Sequence, residues 1–220
     1  MHASVKDGSC GNVPFEAIDW RCPGVAPVKD QGHSPSCSAH ACSSLLELYI
    51  FLKYNINLVI SAQDLWNGSN NGINIPSDIL NWVKRNGVVS EVDSTWLGKV
   101  EKWKRREGVK VYKIVRDVLA FGSVVHDWQI AFLLRDGPVI VELDVGSIFF
   151  DYEDGFYHGE IEGNVSDELH CAVVVALKVT DSRPYYVFQN SYGCEWGING
   201  FFHVLIFKKK AFSLDVTQLV

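Results

Sequence analysis

The chain has 220 residues, 47% hydrophobic and 21% charged, enough to bury a substantial core as one large domain or two small lobes sharing a cleft. Twenty Lys and Arg against 26 Asp and Glu give a formal net charge of −6; no global positive field draws it to phosphate backbones, so nucleic acid is not an expected partner. The longest apolar runs, such as CAVVVAL at 171–177, fall far short of the roughly 20 residues that cross a bilayer, so no membrane span is expected.

The N-terminal MHASVKDGSCGN lacks the basic end and apolar stretch of an export signal. Helical periodicity dominates before about residue 118 and strand signals after it, which predicts two lobes. The helical one covers about 20–118; the β one covers about 119–220 together with the segment 1–19. In PSCSAHACSSLLELYIFLKY (35–54), Ala41, Leu45, Leu48 and Leu52 form one stripe that Cys42, Leu46 and Tyr49 widen, predicting a largely buried helix. Ser34 followed by Pro35 reads as its cap and first position. Further starts are Ser61-Ala-Gln-Asp64, a capping box with Asp in place of Glu, and Pro76-Ser-Asp, with Arg85-Asn-Gly87 as the stop. The basic cluster from Lys99 to Lys113 reads as a solvated surface. Beyond Gly137, PVIVELDV, CAVVVALKV, PYYVFQN and GFFHVLIF read as strands of an antiparallel sheet or open barrel. The acidic, aromatic loop DYEDGFYHGEIEG (151–163) between them lacks EF-hand spacing and reads as connecting surface.

Six cysteines stand at 10, 22, 37, 42, 171 and 194, without a CxxC pair or zinc-finger spacing, so no metal is expected. The sequons at Asn67 and Asn164 carry little weight. Cys37 falls in the first turn of the predicted long helix, where free N–H groups and the positive end of the macrodipole favour a thiolate. A free thiol ionises at about 8.5, so a base or a cation is needed to make it nucleophilic at neutral pH. On position alone, an ordinary buried cysteine is the favoured reading.

The segments AIDWRCPGVAPVKDQGHSPSCSAHA, ISAQDL, GPVIVELD, LHCAVVVALKV and YYVFQNSYGCEWGINGFFHV follow the order and spacing of papain-like cysteine peptidases, which the chain resembles over roughly 17–205. The resemblance implies an α+β fold with a helical left lobe, an antiparallel, barrel-like β right lobe and an active-site cleft between them. It places Cys37 as nucleophile, Gln31 in the oxyanion hole, His170 as base and Asn190 as the residue that orients it. His170 would take the thiol proton and return it to the leaving amine, while Gln31 and the Cys37 N–H face the developing oxyanion. Gly72, Ile73, Glu142, Leu169, Tyr192 and Trp196 fall at positions lining the substrate cleft. The implied activity is hydrolysis of a peptide or protein substrate by a monomer without cofactor. Two alternatives are a non-proteolytic binding homologue and acyl transfer to a small nucleophile.

Several positions depart from the family pattern. Ser38 stands where Trp follows the nucleophile, His40 where Phe is usual, Tyr192 for the tryptophan covering the His–Asn bond, and Leu169 for a polar residue before the histidine. The family's Gly-Gly pair is reduced to Gly72 followed by Ile73 or Asn74, depending on the alignment. Glu142 replaces a small apolar residue of the S2 pocket; read as lining S2 it predicts basic P2 groups, and otherwise it is a solvated charge. Cys171, in place of Ala after the histidine, is expected to be buried and inert. Ser34 and Gly68 occupy disulfide positions of the family, so its bridges cannot form. With no pro-region of adequate length before Asp19, a reducing compartment, the cytosol, is expected, or a lysosome, vacuole or secretion if the chain is a processed mature form.

Overall fold

A computed structural model describes residues 16–21, 27–69, 75–114, 116–122, 127–158, 168–180, 183–206 and 215–219. In chain order the elements are β1 (Ile18–Asp19), α1 (Cys37–Tyr54), α2 (Ala62–Gly68), α3 (Pro76–Asn86), β2 (Val118–Gly122), α4 (Asp127–Leu133), β3 (Val139–Val145), a 3-10 turn (Ser147–Phe149), β4 (Glu168–Thr180), β5 (Arg183–Gln189), β6 (Phe201–Leu205) and β7 (Asp215–Leu219). The strands form one antiparallel sheet in the order β2-β7-β3-β4-β5-β6. The long β4 carries β3 along its first half and β1 along its second, on the same edge.

Side-chain alternation sorts this sheet into two cores. Ile140, Cys171, Val173 and Val175 face α1, α2 and α3, whereas Val139, Val141, Leu143, Ala172 and Val174 face Phe149, Phe188, Phe202 and α4. A register shift between Val174 and Ala176 marks a bulge, and beyond it Ala176 also turns to the α1 side. The arrangement is the expected mixture of helices and antiparallel sheet. No described helix is long and apolar enough to cross a membrane.

The expected starts at Ser61 and Pro76 are present: the Ser61 hydroxyl accepts from the Asp64 N–H at 2.9 Å, and Pro76 occupies the first turn of α3. The long helix begins two residues later than the Ser34-Pro35 signal indicates, with Ser36 at the cap position. The reason lies in the turn before it: the Ser34 hydroxyl donates to the Gln31 carbonyl at 2.7 Å, and the Ser36 N–H bonds the Ser34 carbonyl. Residues 39–48 of α1 are buried on every side, not along a stripe, while Leu52 is exposed. The four expected strands are β3, β4, β5 and β6; β1, β2, β7 and α4 carried no signal that sequence reasoning used.

Two surface expectations hold for most of their charged residues and fail at particular ones. Tyr152 and Tyr157 of the acidic loop are core residues packed with Phe149 and Phe202; the loop's remaining part, 159–163, lies outside the described residues. In the basic cluster, Arg105 is drawn inward. Its guanidinium forks onto Asp64 at 2.7 and 3.1 Å, donates to the Asn86 and Gly87 carbonyls, and lies over the rings of Trp82 and Trp103. Trp103 Nε1 and the Val89 N–H also donate to Asp64, so the buried carboxylate is fully engaged. Gly68 packs against Trp82 so closely that a Cβ there would lie 2.1 Å from the ring, which bars any larger residue at this family bridge position. Asn67 spends its side-chain oxygen on Gln63 Nε2 and the Glu101 N–H; Asn164 lies outside the described residues.

Removing the cation from the Asp64 site leaves a buried, uncompensated carboxylate. Arg105→Ala is therefore expected to lower stability by about 3–5 kcal/mol, and the exposed neighbour change Lys104→Ala by no more than about 0.5 kcal/mol, measured by urea denaturation.

Candidate active site

Three separate stretches of chain converge. Cys37 opens α1, His170 lies near the start of β4, and Asn190 follows β5 directly. The β4–β5 pairing carries His170 and Asn190 to the same end of the sheet, where the buried Asn190 Oδ1 stands 2.6 Å from His170 Nε2. With the oxygen facing the ring, Nε2 is the donor, and Nδ1 is the nitrogen that the Tyr192 hydroxyl approaches at 3.4 Å. The Asn190 amide nitrogen has no hydrogen-bond partner among the described residues.

Residues 29–31 pair with 191–193: the Gln31 N–H donates to the Ser191 carbonyl at 2.8 Å and the Gly193 N–H to the Lys29 carbonyl at 2.9 Å. Within this pairing the Gln31 side chain is fixed twice, its Nε2 donating to the Ser34 carbonyl at 2.8 Å and its Oε1 accepting from Ser191 Oγ at 2.6 Å. One amide hydrogen of Gln31 is thereby used and the other remains for a further acceptor. Ser191 was not singled out from sequence, although its place beside Asn190 is the signal that could have found it.

The Cys37 thiol is held down to about 3, first by a hydrogen bond from the Cys171 thiol and then by the hydrogen bond and charge of His170, against burial, which acts upward. Cys171 is pushed upward by the same contact with Cys37 and by its own burial. A thiolate at Cys37 beside a protonated Cys171 is the consistent assignment.

Three of the family departures turn out to be one cluster. Glu142 of β3 is the cross-strand partner of Cys171 in β4, and its Oε1 accepts from Cys171 Sγ at 3.5 Å. Ser38 Oγ lies 3.1 Å from the same sulfur. Ser38, Cys171 and Glu142 thus form a polar chain beside the nucleophile. Glu142 is buried on the α1 side of the sheet, which excludes the solvated-charge reading. Cys171 is buried as expected, and its sulfur is in hydrogen-bond contact with Ser38 and Glu142.

On the other side of His170 stands an aromatic cage. Tyr192 lies 5.0 Å from the imidazole, tilted by 45°, with its hydroxyl 3.4 Å from Nδ1. Phe149 approaches the same ring at 5.3 Å and Trp196 at 5.0 Å from Phe149, while Trp196 Nε1 donates to the Phe150 carbonyl. Phe149 was missed because nothing local in its sequence distinguishes it from a core residue. Leu169 is half exposed beside His170. Gly72, Ile73 and Asn74 lie outside the described residues, as do Cys10 and Cys22; the four described cysteines, at 37, 42, 171 and 194, are free. Among the described residues no group of three or more His, Cys, Asp or Glu is placed to hold a metal ion.

The family model described as papain family cysteine protease matches residues 14–217. A viral cathepsin of Cydia pomonella granulosis virus is 28% identical over 207 residues, covering 91% of this chain and 60% of that protein. Cysteine proteinase 2 of Zea mays is 31% identical over 201 residues, covering 85% of this chain and 54% of its own length. The chain thus spans little more than half the length of these relatives. Among solved structures, the bromelain protease from Ananas comosus in complex with the E64 inhibitor superposes with a TM-score of 0.81 at 20% identity, covering 94% of this chain and 99% of that one.

Behind the thiol, His40 packs edge-on against Trp96 at 4.5 Å, with Nδ1 3.1 Å from both Ser36 O and Ser36 Oγ. Burial first, then the charge of Lys29, lower it from 6.5 to about 4, against upward pulls from the Ser36 backbone, Cys37 and Asp30. Between these values the unfolded chain takes up a proton that the folded chain refuses, so stability falls as pH drops through 6.5 towards about 4. His40→Phe should remove about 2 kcal/mol of that loss at pH 5, seen as a smaller drop in Tm between pH 7.5 and pH 5.

Proposed function

The chain belongs to the papain family of cysteine proteases, and we propose that it cleaves peptide bonds through an acyl-enzyme on Cys37. The observation that carries this reading is the convergence of a thiol held at about 3 with a buried imidazole whose Nε2 is fixed by Asn190. In this reading the Cys37 thiolate attacks the scissile carbonyl, and the His170 imidazolium protonates the leaving amine. Neutral His170 then withdraws a proton from the water that hydrolyses the thioester. The Cys37 N–H and the remaining Gln31 amide hydrogen stabilise the oxyanion, one such donor contributing about 10²–10³ in rate. Asn190 keeps Nδ1 turned to the sulfur without adding a charge.

The substrate is a peptide or protein segment. Leu169 and Tyr192 flank His170, with Trp196 edge-on to Tyr192 at 5.4 Å, while Gly72 and Ile73 are assigned to the substrate cleft from the family pattern. Glu142, beside Cys171 and turned towards the α1 side, supplies a negative charge to the S2 pocket and so favours basic P2 groups.

The test is intact-mass analysis after incubation with an epoxide thiol probe, using wild type, Cys37→Ala and His170→Ala, beside hydrolysis of a peptide library. One adduct on Cys37 is expected, with hydrolysis lowered by about 10³ or more in either variant. The sign of the Cys37 shift makes labelling persist well below neutral pH and fade as pH drops towards about 3. Labelling of Cys37 no faster than a free thiol, and indifferent to His170, overturns the reading. For the pocket, Glu142→Gln should lower the preference for Arg or Lys over Leu at P2 by about tenfold in kcat/KM; a wild-type profile that favours Leu or Phe refutes the assignment.

A further inference from the structure

Three large apolar side chains near His170 stand about half exposed: Ile148 at 54%, Phe150 at 48% and Leu169 at 50%. Their exposure follows from the local backbone. In the 3-10 turn Ser147–Phe149, successive side chains point about 120° apart. Phe149 is fully buried there, its ring 5.3 Å from that of His170, so its neighbours Ile148 and Phe150 splay outward. Leu169 is directed by the β3–β4 register: its cross-strand partner is Asp144, and the two share the sheet face of Glu142 and Cys171 but, unlike those, are open to solvent.

Single exposed apolar side chains are ordinary, but Phe150 and Leu169 both connect to the imidazole. Phe150 stacks on Tyr192, with ring centroids 5.8 Å apart and planes 14° from parallel, and Tyr192 lies 5.0 Å from the His170 ring with its hydroxyl 3.4 Å from Nδ1. Trp196 Nε1 holds the Phe150 backbone by donating to its carbonyl at 3.0 Å. Leu169 directly precedes His170 on β4. An apolar surface held in place beside a reacting atom is a recognition surface. In the hydrolase reading Nδ1 gives its proton to the leaving amine, so the residue that is expelled brings its nitrogen beside Tyr192. Its side chain then lies against the Tyr192–Phe150 stack.

We infer that Ile148, Phe150 and Leu169 bind the residue immediately after the scissile bond, P1′, and select a bulky apolar side chain there. The inference rests on the hydrolase reading and adds to it the leaving half of the substrate. A Leu or Phe side chain laid on this surface removes apolar area of both partners from water, whereas Ser or Gly brings almost none. Asp144, exposed and opposite Leu169, sets a negative charge at the edge that repels an acidic P1′ residue. The selection is independent of the one assigned to P2, because Glu142 is buried on the α1 side beside Cys171.

The test is a set of quenched fluorescent peptides that share one acyl half, the one wild type cleaves best, and differ only in carrying Leu, Phe, Ser, Gly or Asp at P1′; kcat/KM is measured for each. Wild type is expected to favour Leu and Phe over Ser and Gly by about tenfold, with Asp slowest. Phe150→Ser and Ile148→Ser should bring the Leu-to-Ser ratio down to about threefold or less, Phe150→Leu should restore it, and Val179→Ser, which alters a comparably exposed apolar residue at the far end of β4, should keep the wild-type ratio. Taking the ratio within one variant cancels any change at Cys37 or His170 that all the peptides meet alike, so a merely structural effect of the substitution leaves it unmoved. The bond from Trp196 involves the Phe150 backbone and survives replacement of the ring. A wild type that cleaves Ser peptides as fast as Leu peptides, a ratio that Phe150→Ser leaves unmoved, or an equal fall in Val179→Ser overturns the proposal and leaves the hydrolase reading standing; a wild type that cleaves no peptide of the set overturns both.

Discussion

The first turn of α1 is pressed against β4 where β3 pairs with that strand, and the burial of residues 39–48 on every side leaves the helix no freedom to roll. Cys37 takes its position from this seat. A helix burying only a stripe could rotate by a few degrees at small cost, but one enclosed on all sides exposes apolar surface in whichever direction it turns. Its N-terminal residues are therefore as well placed as a strand residue, although Cys37 itself is only partly buried. The ion pair proposed between Cys37 and His170 depends on this, because a thiolate is stabilised by neighbours at contact distance and gains little from them further away.

The pairing of 29–31 with 191–193 completes the site from the opposite direction. It ties the turn that precedes α1 to the segment that follows β5, so the Gln31 amide and the Asn190 side chain are positioned by the same two strands of chain. Lys29 extends the tie into the helical core, where its ammonium meets the buried Glu47 carboxylate at 2.8 Å and that carboxylate also accepts the Ile60 N–H. Glu47 is pushed upward by burial and pulled back by Lys29, a balance typical of a buried pair whose net contribution is small but whose disruption is expensive. The site thus inherits its order from backbone pairing and one enclosed ion pair, not from covalent cross-links among the described cysteines.

What the sequence disclosed follows from how local each signal is. Caps and stops at Ser61, Pro76 and Gly87 act within one helical turn, and the structure has them where the residues indicate. The four long strands carry continuous apolar runs and were legible for the same reason. The two-residue β1 and the C-terminal β7 exist only because a partner strand is already there, and no residue pattern announces that. Arg105 looked like one cation among many; its burial is decided by Asp64, 41 positions earlier, and by two tryptophans. At the site, the linear motif pointed to His170 and Asn190, whose side chains meet at 2.6 Å, and to Cys37, whose thiol the His170 charge pulls downward. The joining of Ser38, Glu142 and Cys171 was not legible, because it depends on the β3–β4 register, and the sequence had presented them as three unrelated departures.

That cluster also answers how a buried carboxylate can stand close to a thiolate without suppressing it. Two anions in contact inside a protein repel strongly, and the usual outcome is that one takes up a proton. Here the Cys171 thiol stands beside the carboxylate, its Sγ 3.5 Å from Glu142 Oε1, and also pulls the Cys37 thiol downward. Ser38 contributes a hydroxyl where an aromatic ring would have offered none. The three residues are therefore coupled: an alanine at 171 would leave Glu142 without its thiol donor, and an apolar residue at 142 would deprive Cys171 of its carboxylate acceptor. A double-mutant cycle across 142 and 171, read as the rate of Cys37 alkylation, is the direct measure of that coupling, and the contact between the two side chains requires it to be far from additive.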